Sequence, residues 1–303
     1  MGLSNLVLWT ADRCPWIVEP LIRSWLQWTP QDQEPHWLLP TLKRRFNVRV
    51  TRRVRMESGH ELYVDPFDLV GERIARHGCF EPETVRLLRQ LVRPGMIACD
   101  IGAHVGQYTV LLADLVGSAG QVHAFEPDPT TFATLQANVR LNRLRNVTCN
   151  HMALSETSGT ATLFLANIAN TGANSLRQTD SFGGQQAVVQ CNRLDDYCAG
   201  LDLASVGFIK IDVEGGELPV LRGGETVLSA SRPHLLLEFS SLTSCFGYST
   251  EDLQRFLHER GYELFLVTPA GIERLVLPRP PAAVDNVLAV HASHVEEVAP
   301  DGR

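Results

Sequence analysis

Long apolar runs, clustered cysteines and lysines are all scarce in this chain of 303 residues, and each scarcity excludes something. No apolar run reaches the roughly 18 residues that a membrane-spanning helix requires. The early stretch Leu3 to Trp9 is cut off by Asp12 and Arg13 with no small-residue cleavage site behind it, which speaks against a secretory signal. Leu6 stands where a myristoylation signal wants Ser or Thr. The seven cysteines (Cys14, Cys79, Cys99, Cys149, Cys191, Cys198, Cys245) are never spaced CxxC, CxxxC or as a zinc knuckle. Structural zinc and iron–sulfur chemistry are therefore disfavoured, and a reducing cytoplasm suits the thiols. Lysine occurs only as Lys43 and Lys210. A net charge of −7 gives no global reason to expect nucleic acid as the main partner.

What is present is 44% hydrophobic and 20% charged, the composition of a folded globular chain with a sizeable core. All five tryptophans (Trp9, Trp16, Trp25, Trp28, Trp37) precede residue 40, in a segment that Pro15, Pro20, Pro30, Pro35 and Pro40 break repeatedly. Residues 1–69 are thus expected to be an appendage: a Trp-rich part followed by a β-hairpin over 43–64. The tryptophans either pack the appendage onto the main domain or a second subunit, as in a homo-oligomer, or form a lid over substrate. The stretch KRRFNVRVTRRVR (43–55) reads as the solvated face of the hairpin, or else as a docking patch for an acidic partner or phosphate.

From residue 70 the pattern becomes an alternation of buried strands and amphipathic helices. Strands are expected at 96–101, 121–126, 147–152, 206–211, 234–239, 262–267 and 286–290, with helices near 83–92, 106–116, 130–141, 215–229 and 250–260. An antiparallel pair, 160–165 and 186–191, flanks a Gly/Asn/Ser-rich loop. Such alternation specifies an α/β, doubly wound, mostly parallel Rossmann-like sheet over 70–290, with ligands outside the carboxyl ends of the strands. Residues 291–303 read as a loose tail.

Three strand ends carry chemistry. After the first stands Asp100-Ile101-Gly102-Ala103-His104-Val105-Gly106, a glycine turn running into a helix. Its GxxxG spacing, with neither GxGxxG nor Gly-Lys-Ser/Thr, disfavours a cradle for pyrophosphate or triphosphate. Glu126, followed by Pro127, ends the next strand where an acid accepts hydrogen bonds from both hydroxyls of a ribose. Together the two features describe a site for a nucleoside cofactor without phosphates, and S-adenosylmethionine fits. The third is Lys210-Ile211-Asp212-Val213-Glu214-Gly215-Gly216-Glu217, where strand alternation aims Lys210 and Asp212 to one side. These acids either cap the following helix or line a transfer site, where a carboxylate orients or deprotonates an acceptor hydroxyl or shares a divalent cation with Glu238. No metal ligand set is assigned.

The segments DIGAHVGQYT (100–109), FEPDP (125–129), LQANVRLN (135–142), ALSETSGTATL (153–163), RLDDY (193–197), KIDVEGGE (210–217) and LLLEFS (235–240) together resemble the FkbM-type S-adenosylmethionine-dependent methyltransferases. The resemblance implies a class I methyltransferase fold, with a seven-stranded sheet whose last strand is antiparallel. It also implies O-methylation of hydroxyls on polyketides, sugars and other secondary metabolites. It would place Asp100, Gly102, Ala103, His104 and Gly106 in the cofactor loop and Glu126 and Pro127 at the ribose. Met152 and Ala153 would approach the adenine, Phe80 and Glu81 the methionine moiety, and Asp212 both cofactor and acceptor. His104 replaces the Asn usual in DIGAN. The acceptor is expected to be handled by Asp212 with Lys210, Glu214 or Glu238, or by His104 as an alternative base. His151, His291 and His294 read as ordinary histidines. Competing readings are methylation of nitrogen or RNA, supported by 43–55 alone, a nucleoside-binding module without transfer, and an NAD-dependent dehydrogenase.

Overall fold

The computed structural model describes residues 51–167, 170–202, 206–275 and 284–298. The tryptophans, and the lid and subunit-contact readings attached to them, lie outside the described residues, as does the basic stretch before Thr51.

The chain opens on an antiparallel hairpin of β1 (Arg52–Arg55) and β2 (Glu61–Val64). Helices α1 (Leu69–His77) and α2 (Pro82–Leu91) follow, and then the alternation begins with β3 (Ile97–Ile101), α3 (Gln107–Val116), β4 (Gln121–Phe125), α4 (Pro129–Leu141) and β5 (Val147–Asn150). A small sheet comes next, made of β6 (Ala153–Leu154), β7 (Gly159–Ala166) and β8 (Phe182–Asn192), before α5 (Leu194–Cys198). The rest is β9 (Val206–Ile211), α6 (Glu217–Arg222), α7 (Glu225–Ser231), β10 (His234–Ser240), α8 (Thr250–Glu259), β11 (Tyr262–Thr268), β12 (Gly271–Arg274), β13 (Val284–His291) and α9 (Val295–Val298).

The large sheet has the order β12-β11-β13-β10-β9-β3-β4-β5, parallel from β10 through β5, with β13 running antiparallel between β10 and β11. The last strand is therefore antiparallel as expected, and β12 adds an eighth, edge strand paired with β11. Each central strand feeds both faces. In β10, Leu235 and Leu237 join one core with α5, α6, α7 and α8, while Leu236 joins the other with α2 and α3. From β3 the chain winds outward through β4 and β5, then returns to β9 on the opposite side of β3. That reversal leaves a crevice above the adjacent ends of β3 and β9, where ligands bind in open α/β sheets.

The structure departs locally from the sequence reading at three places. The helix expected over 215–229 is two helices, because Gly223 lies against the Ser155 carbonyl so closely that a Cβ there would sit 2.1 Å from that oxygen. The Asp195 carboxylate then starts α7 afresh by accepting from Thr226 N and Val227 N at 3.1 and 3.0 Å. The strand expected over 147–152 stops at Asn150, and the chain crosses into the small sheet at Ala153. Residues 292–298, read as tail, form a 3-10 turn and α9, with Val295 and Val298 packed on the core.

The hairpin is tied to the sheet by side chains standing in for a strand. On α4, Asn138 accepts from Tyr63 N at 2.6 Å and donates to Tyr63 O at 3.0 Å. One turn on, Asn142 does the same for Glu61 N and O at 3.0 and 2.7 Å. Residues i and i+4 of a helix thus pair with alternate residues of a strand edge, matching one helical turn to two strand residues.

Candidate active site

One cavity of about 820 Å³ opens over the ends of β3, β4, β9 and β10, large enough for a cofactor and a second small molecule. Its lining includes Glu81, Gly102, Ala103, His104, Glu126, Pro127, Met152, Ala153, Lys210, Asp212, Glu214 and Glu238. The residues singled out in separate sequence motifs therefore line one cavity. Asp100 and Gly106 do not line it. Asp100 is fully buried and accepts from Thr109 Oγ1 at 2.5 Å, while Gly106 turns the chain into α3 at φ 91°.

The glycine turn packs backbone against backbone. Gly102 has φ 83°, and a Cβ on it would lie 1.8 Å from the Asp212 carbonyl oxygen. Gly102 N and Ala103 N both donate to Phe125 O, at 3.0 and 2.9 Å, and Asp212 N donates to Ile101 O at 3.0 Å. The loops after β3, β4 and β9 are held as one unit in this way.

At the end of β4, Glu126 Oε2 accepts from His104 N at 2.9 Å and Oε1 from Asp128 N at 2.8 Å. Burial pushes this carboxyl up to about 8, against the pull of those two amides. His104 sits at φ 50°, an unusual conformation for a side-chain-bearing residue, and its Nε2 lies 3.0 Å from Thr171 Oγ1. The Thr171 hydroxyl donates to Asp68 Oδ1 at 2.8 Å, so its oxygen is the acceptor toward His104 and Nε2 carries the hydrogen. Asp68 also accepts from Thr171 N at 2.6 Å and caps α1 through Val70 N and Gly71 N. A clasp thus runs from α1 through the loop at 170–174 to the glycine turn.

Opposite lies a charged knot. Lys210 is 3% exposed and bonds Asp212 Oδ2 at 2.7 Å, and Asp100 faces it across the β3–β9 register. Burial would lower the Lys210 ammonium, but Asp212, Asp100 and Glu81 outweigh it and hold its pKa above the ordinary value. Burial raises Asp100 as well, with Lys210 opposing. The Lys210 Nζ also lies 4.7 Å from the centre of the Tyr108 ring, whose hydroxyl donates to Glu81 Oε2 at 2.7 Å. Glu81 is positioned by Gln107, whose carboxamide accepts from Phe80 N at 2.6 Å and donates to Phe80 O at 2.9 Å.

The turn after β9 divides its acids between structure and cavity. Glu217 is fully buried and accepts from Gly215 N at 3.1 Å, and Tyr248 donates to Gly215 O at 2.6 Å. Glu217 therefore folds the turn. Glu214, at φ 54°, is turned to the cavity, and burial followed by Asp212 pushes its carboxyl up to about 8. Glu238 is raised well above the carboxylate range by burial and by Asp212, Glu214 and Glu217. Asp212, Glu214 and Glu238 each bring one carboxylate oxygen within 4.8 Å of the others.

Sequence reasoning missed Asp68, Thr171, Gln107 and Tyr108. The signal available for two of them was the Asp68 cap before α1 and the position of Thr171 in the Gly/Asn/Ser-rich loop. Of the histidines set aside, His151 stacks on Phe132 at 4.7 Å between ring centres, and His291 and His294 lie at the far end of the sheet.

The strand order, the reversal at β3 and the acidic end of β4 define a class I methyltransferase fold. The chain belongs to the FkbM methyltransferase family: the family model described as the methyltransferase FkbM domain matches residues 100–264. Over 161 residues it is 30% identical to the 31-O-demethyl-FK506 methyltransferase FkbM of Streptomyces tacrolimicus, covering 44% of this chain and 61% of that one. Over 168 residues it is 29% identical to the 2-O-methyltransferase NoeI of Sinorhizobium fredii, covering 49% of this chain and 67% of the relative. The match thus spans a little under two thirds of the first relative's length. A crystal structure of a methyltransferase FkbM from Methylobacillus flagellatus KT is similar with a TM-score of 0.42 and 19% identity, covering 68% of this chain and 50% of that one.

Proposed function

We propose that this protein is an S-adenosylmethionine-dependent O-methyltransferase acting on a hydroxyl of a small-molecule acceptor such as a polyketide, sugar or other secondary metabolite. The observation that carries the reading is the single cavity joining the Glu126 end of β4 to the acids at the ends of β9 and β10. The donor set fits the cofactor. Glu126 keeps lone pairs for two ribose hydroxyls beside the amides it already accepts, and Met152 and Ala153 give an apolar wall for the adenine. Gly102, Ala103, His104 and Pro127 complete that end, with Asp100 and Gly106 shaping the loop from behind and Glu81 and Asp212 at the methionine side. Of the family relatives, one is named a 2-O-methyltransferase and another a 31-O-demethyl-FK506 methyltransferase, and both names support the same reading.

The cofactor supplies a methyl group already activated on a sulfonium, so the protein's tasks are to align the acceptor, exclude water and take one proton. Alignment alone is worth about 7–11 kcal/mol. Asp212 is fixed by Lys210 on Oδ2, and its other oxygen takes the acceptor's proton as the acceptor oxygen gains the methyl. Glu214 and Glu238 border the acceptor on the remaining side. His104, with hydrogen on Nε2, is occupied in the clasp rather than poised as a base at that atom.

Calorimetry tests the cofactor: S-adenosylmethionine binds and NAD does not, and binding of NAD alone would overturn the reading. Incubation with candidate acceptors and S-adenosylmethionine, followed by mass spectrometry, should show products heavier by one methylene unit. Among the described residues no helix is long and apolar enough to cross a membrane. We place the enzyme in the cytoplasm on its free thiols, Cys79, Cys99, Cys149, Cys191, Cys198 and Cys245.

A further inference from the structure

We propose that Arg73 receives the α-carboxylate of the cofactor's methionine moiety and, with Glu81 on the α-ammonium, fixes that end of S-adenosylmethionine. The inference rests on the methyl-transfer reading and adds a residue outside the segment 100–264 that the family model matches. Leu69, Val70 and Arg73 all line the cavity, and their spacing of three and four residues puts them on one face of α1. Glu72 and Arg76 pair with each other and line no part of it. The helix is tied to the glycine turn, because Asp68 caps it and also holds Thr171 beside His104.

Strand order sets the path of the cofactor. With the ribose at Glu126 after β4 and the transferred methyl at Asp212 after β9, the molecule crosses the end of β3, which lies between them. From Asp212 the contacts run through Lys210 and the Tyr108 ring to Glu81. The wall next to the methyl is thus the one formed by Glu81 and the chain that leads to it from α1.

A methionine tail is a zwitterion and needs one anion and one cation. Glu81 gives Oε2 to Tyr108, which leaves its other oxygen for the ammonium. Three basic side chains line the cavity: Arg73, His104 and Lys210. Lys210 is buried and engaged with Asp212, and His104 spends its Nε2 hydrogen on Thr171. Arg73 is exposed, and among the described residues it has neither a hydrogen bond nor an ion pair. Its planar fork of donors matches a carboxylate through two parallel hydrogen bonds. Held at both charges, the tail cannot turn, and the sulfonium keeps its methyl directed at the acceptor.

Calorimetry of the full chain with S-adenosylmethionine and with its decarboxylated analogue, which keeps the adenosine, sulfonium and ammonium, tests the assignment. The wild type should bind the analogue about tenfold more weakly, the low end for a charged hydrogen-bonding pair because Arg73 is exposed. Arg73→Leu should lose the same factor for S-adenosylmethionine and bind the analogue as the wild type does, so the analogue doubles as the control for folding. Arg73→Lys, which keeps the charge without the fork, should fall between, and Arg76→Leu should match the wild type for both ligands. Unchanged affinity of Arg73→Leu for S-adenosylmethionine, or an equal loss for both ligands, would overturn the role of Arg73 and leave the cofactor reading standing. Failure of the wild type to bind S-adenosylmethionine would remove the reading and this assignment together.

Discussion

Lys210 Nζ bonds Asp212 Oδ2 at 2.7 Å while resting 4.7 Å from the centre of the Tyr108 ring. In a chain that has two lysines and otherwise uses arginine, the choice of lysine here is physical. The space between Asp100, Asp212 and the Tyr108 face takes a compact point charge, and a planar guanidinium with five donors would leave several of them without partners. Replacing Lys210 by Met strands Asp100 and Asp212 and should cost on the order of 3 kcal/mol, the low end for a broken buried pair because the Asp212 side chain is 34% exposed. A melting curve checks this. Asp212→Asn leaves Lys210 facing Asp100, so the fold and cofactor affinity should largely persist while turnover is lost. Retained turnover in that variant would remove Asp212 from the proton step.

Glu126 gives a pH signature. Its carboxyl, raised to about 8 by burial, holds a proton in the folded state that the unfolded chain has released above about 4.5. Its contribution to stability is therefore full at low pH and declines as pH rises towards 8, by at most about 1.4 kcal/mol per pH unit. Ribose hydroxyls donate to the ionised form, so S-adenosylmethionine should bind more tightly as pH rises to about 8 and release a proton on binding below that. Calorimetry in buffers of different ionisation enthalpy measures the release. Glu126→Gln should weaken binding by about 1.5–3 kcal/mol and flatten its pH dependence.

The parts of this molecule legible in the sequence are those set by near neighbours. Short apolar runs buried on both faces, the Gly102 turn and the position of Glu126 one strand later were readable because each depends on residues within a few positions. The break at Gly223 was not, since it is imposed by Ser155, far away in the chain, while the apolar pattern runs on through it. Asn138 and Asn142 stood in a recognisable segment, but their pairing with β2 needs the hairpin in place. The convergence of Glu238 with Asp212 depends on strand register, which no single segment specifies.

Gly102 offers a sharp test of the backbone packing beneath the cavity. At φ 83°, with a virtual Cβ 1.8 Å from a carbonyl oxygen that belongs to backbone and cannot swing away, even alanine forces the loops after β3 and β9 apart. Gly102→Ala should lower the melting temperature and abolish S-adenosylmethionine binding together. Gly59→Ala, also at positive φ but with open space around it, should show the modest cost of conformation alone and no loss of binding. Equal effects of the two would show that the close approach at Gly102 does not matter.

The clasp through Thr171 separates a positioning role for His104 from a proton-transfer role. Because the Thr171 hydroxyl gives its hydrogen to Asp68, His104 donates from Nε2, and the ring anchors a glycine turn held at φ 50°. Asparagine tolerates that backbone region better than most residues, whereas a β-branched residue does not. His104→Asn should therefore keep cofactor binding and turnover. His104→Val should lose both. Thr171→Val removes the hydroxyl at nearly constant volume, costing about 1–2 kcal/mol of stability and weakening cofactor binding more than it changes kcat. A His104→Asn enzyme that binds S-adenosylmethionine normally yet fails to turn over would restore His104 as the base and displace Asp212 from that step.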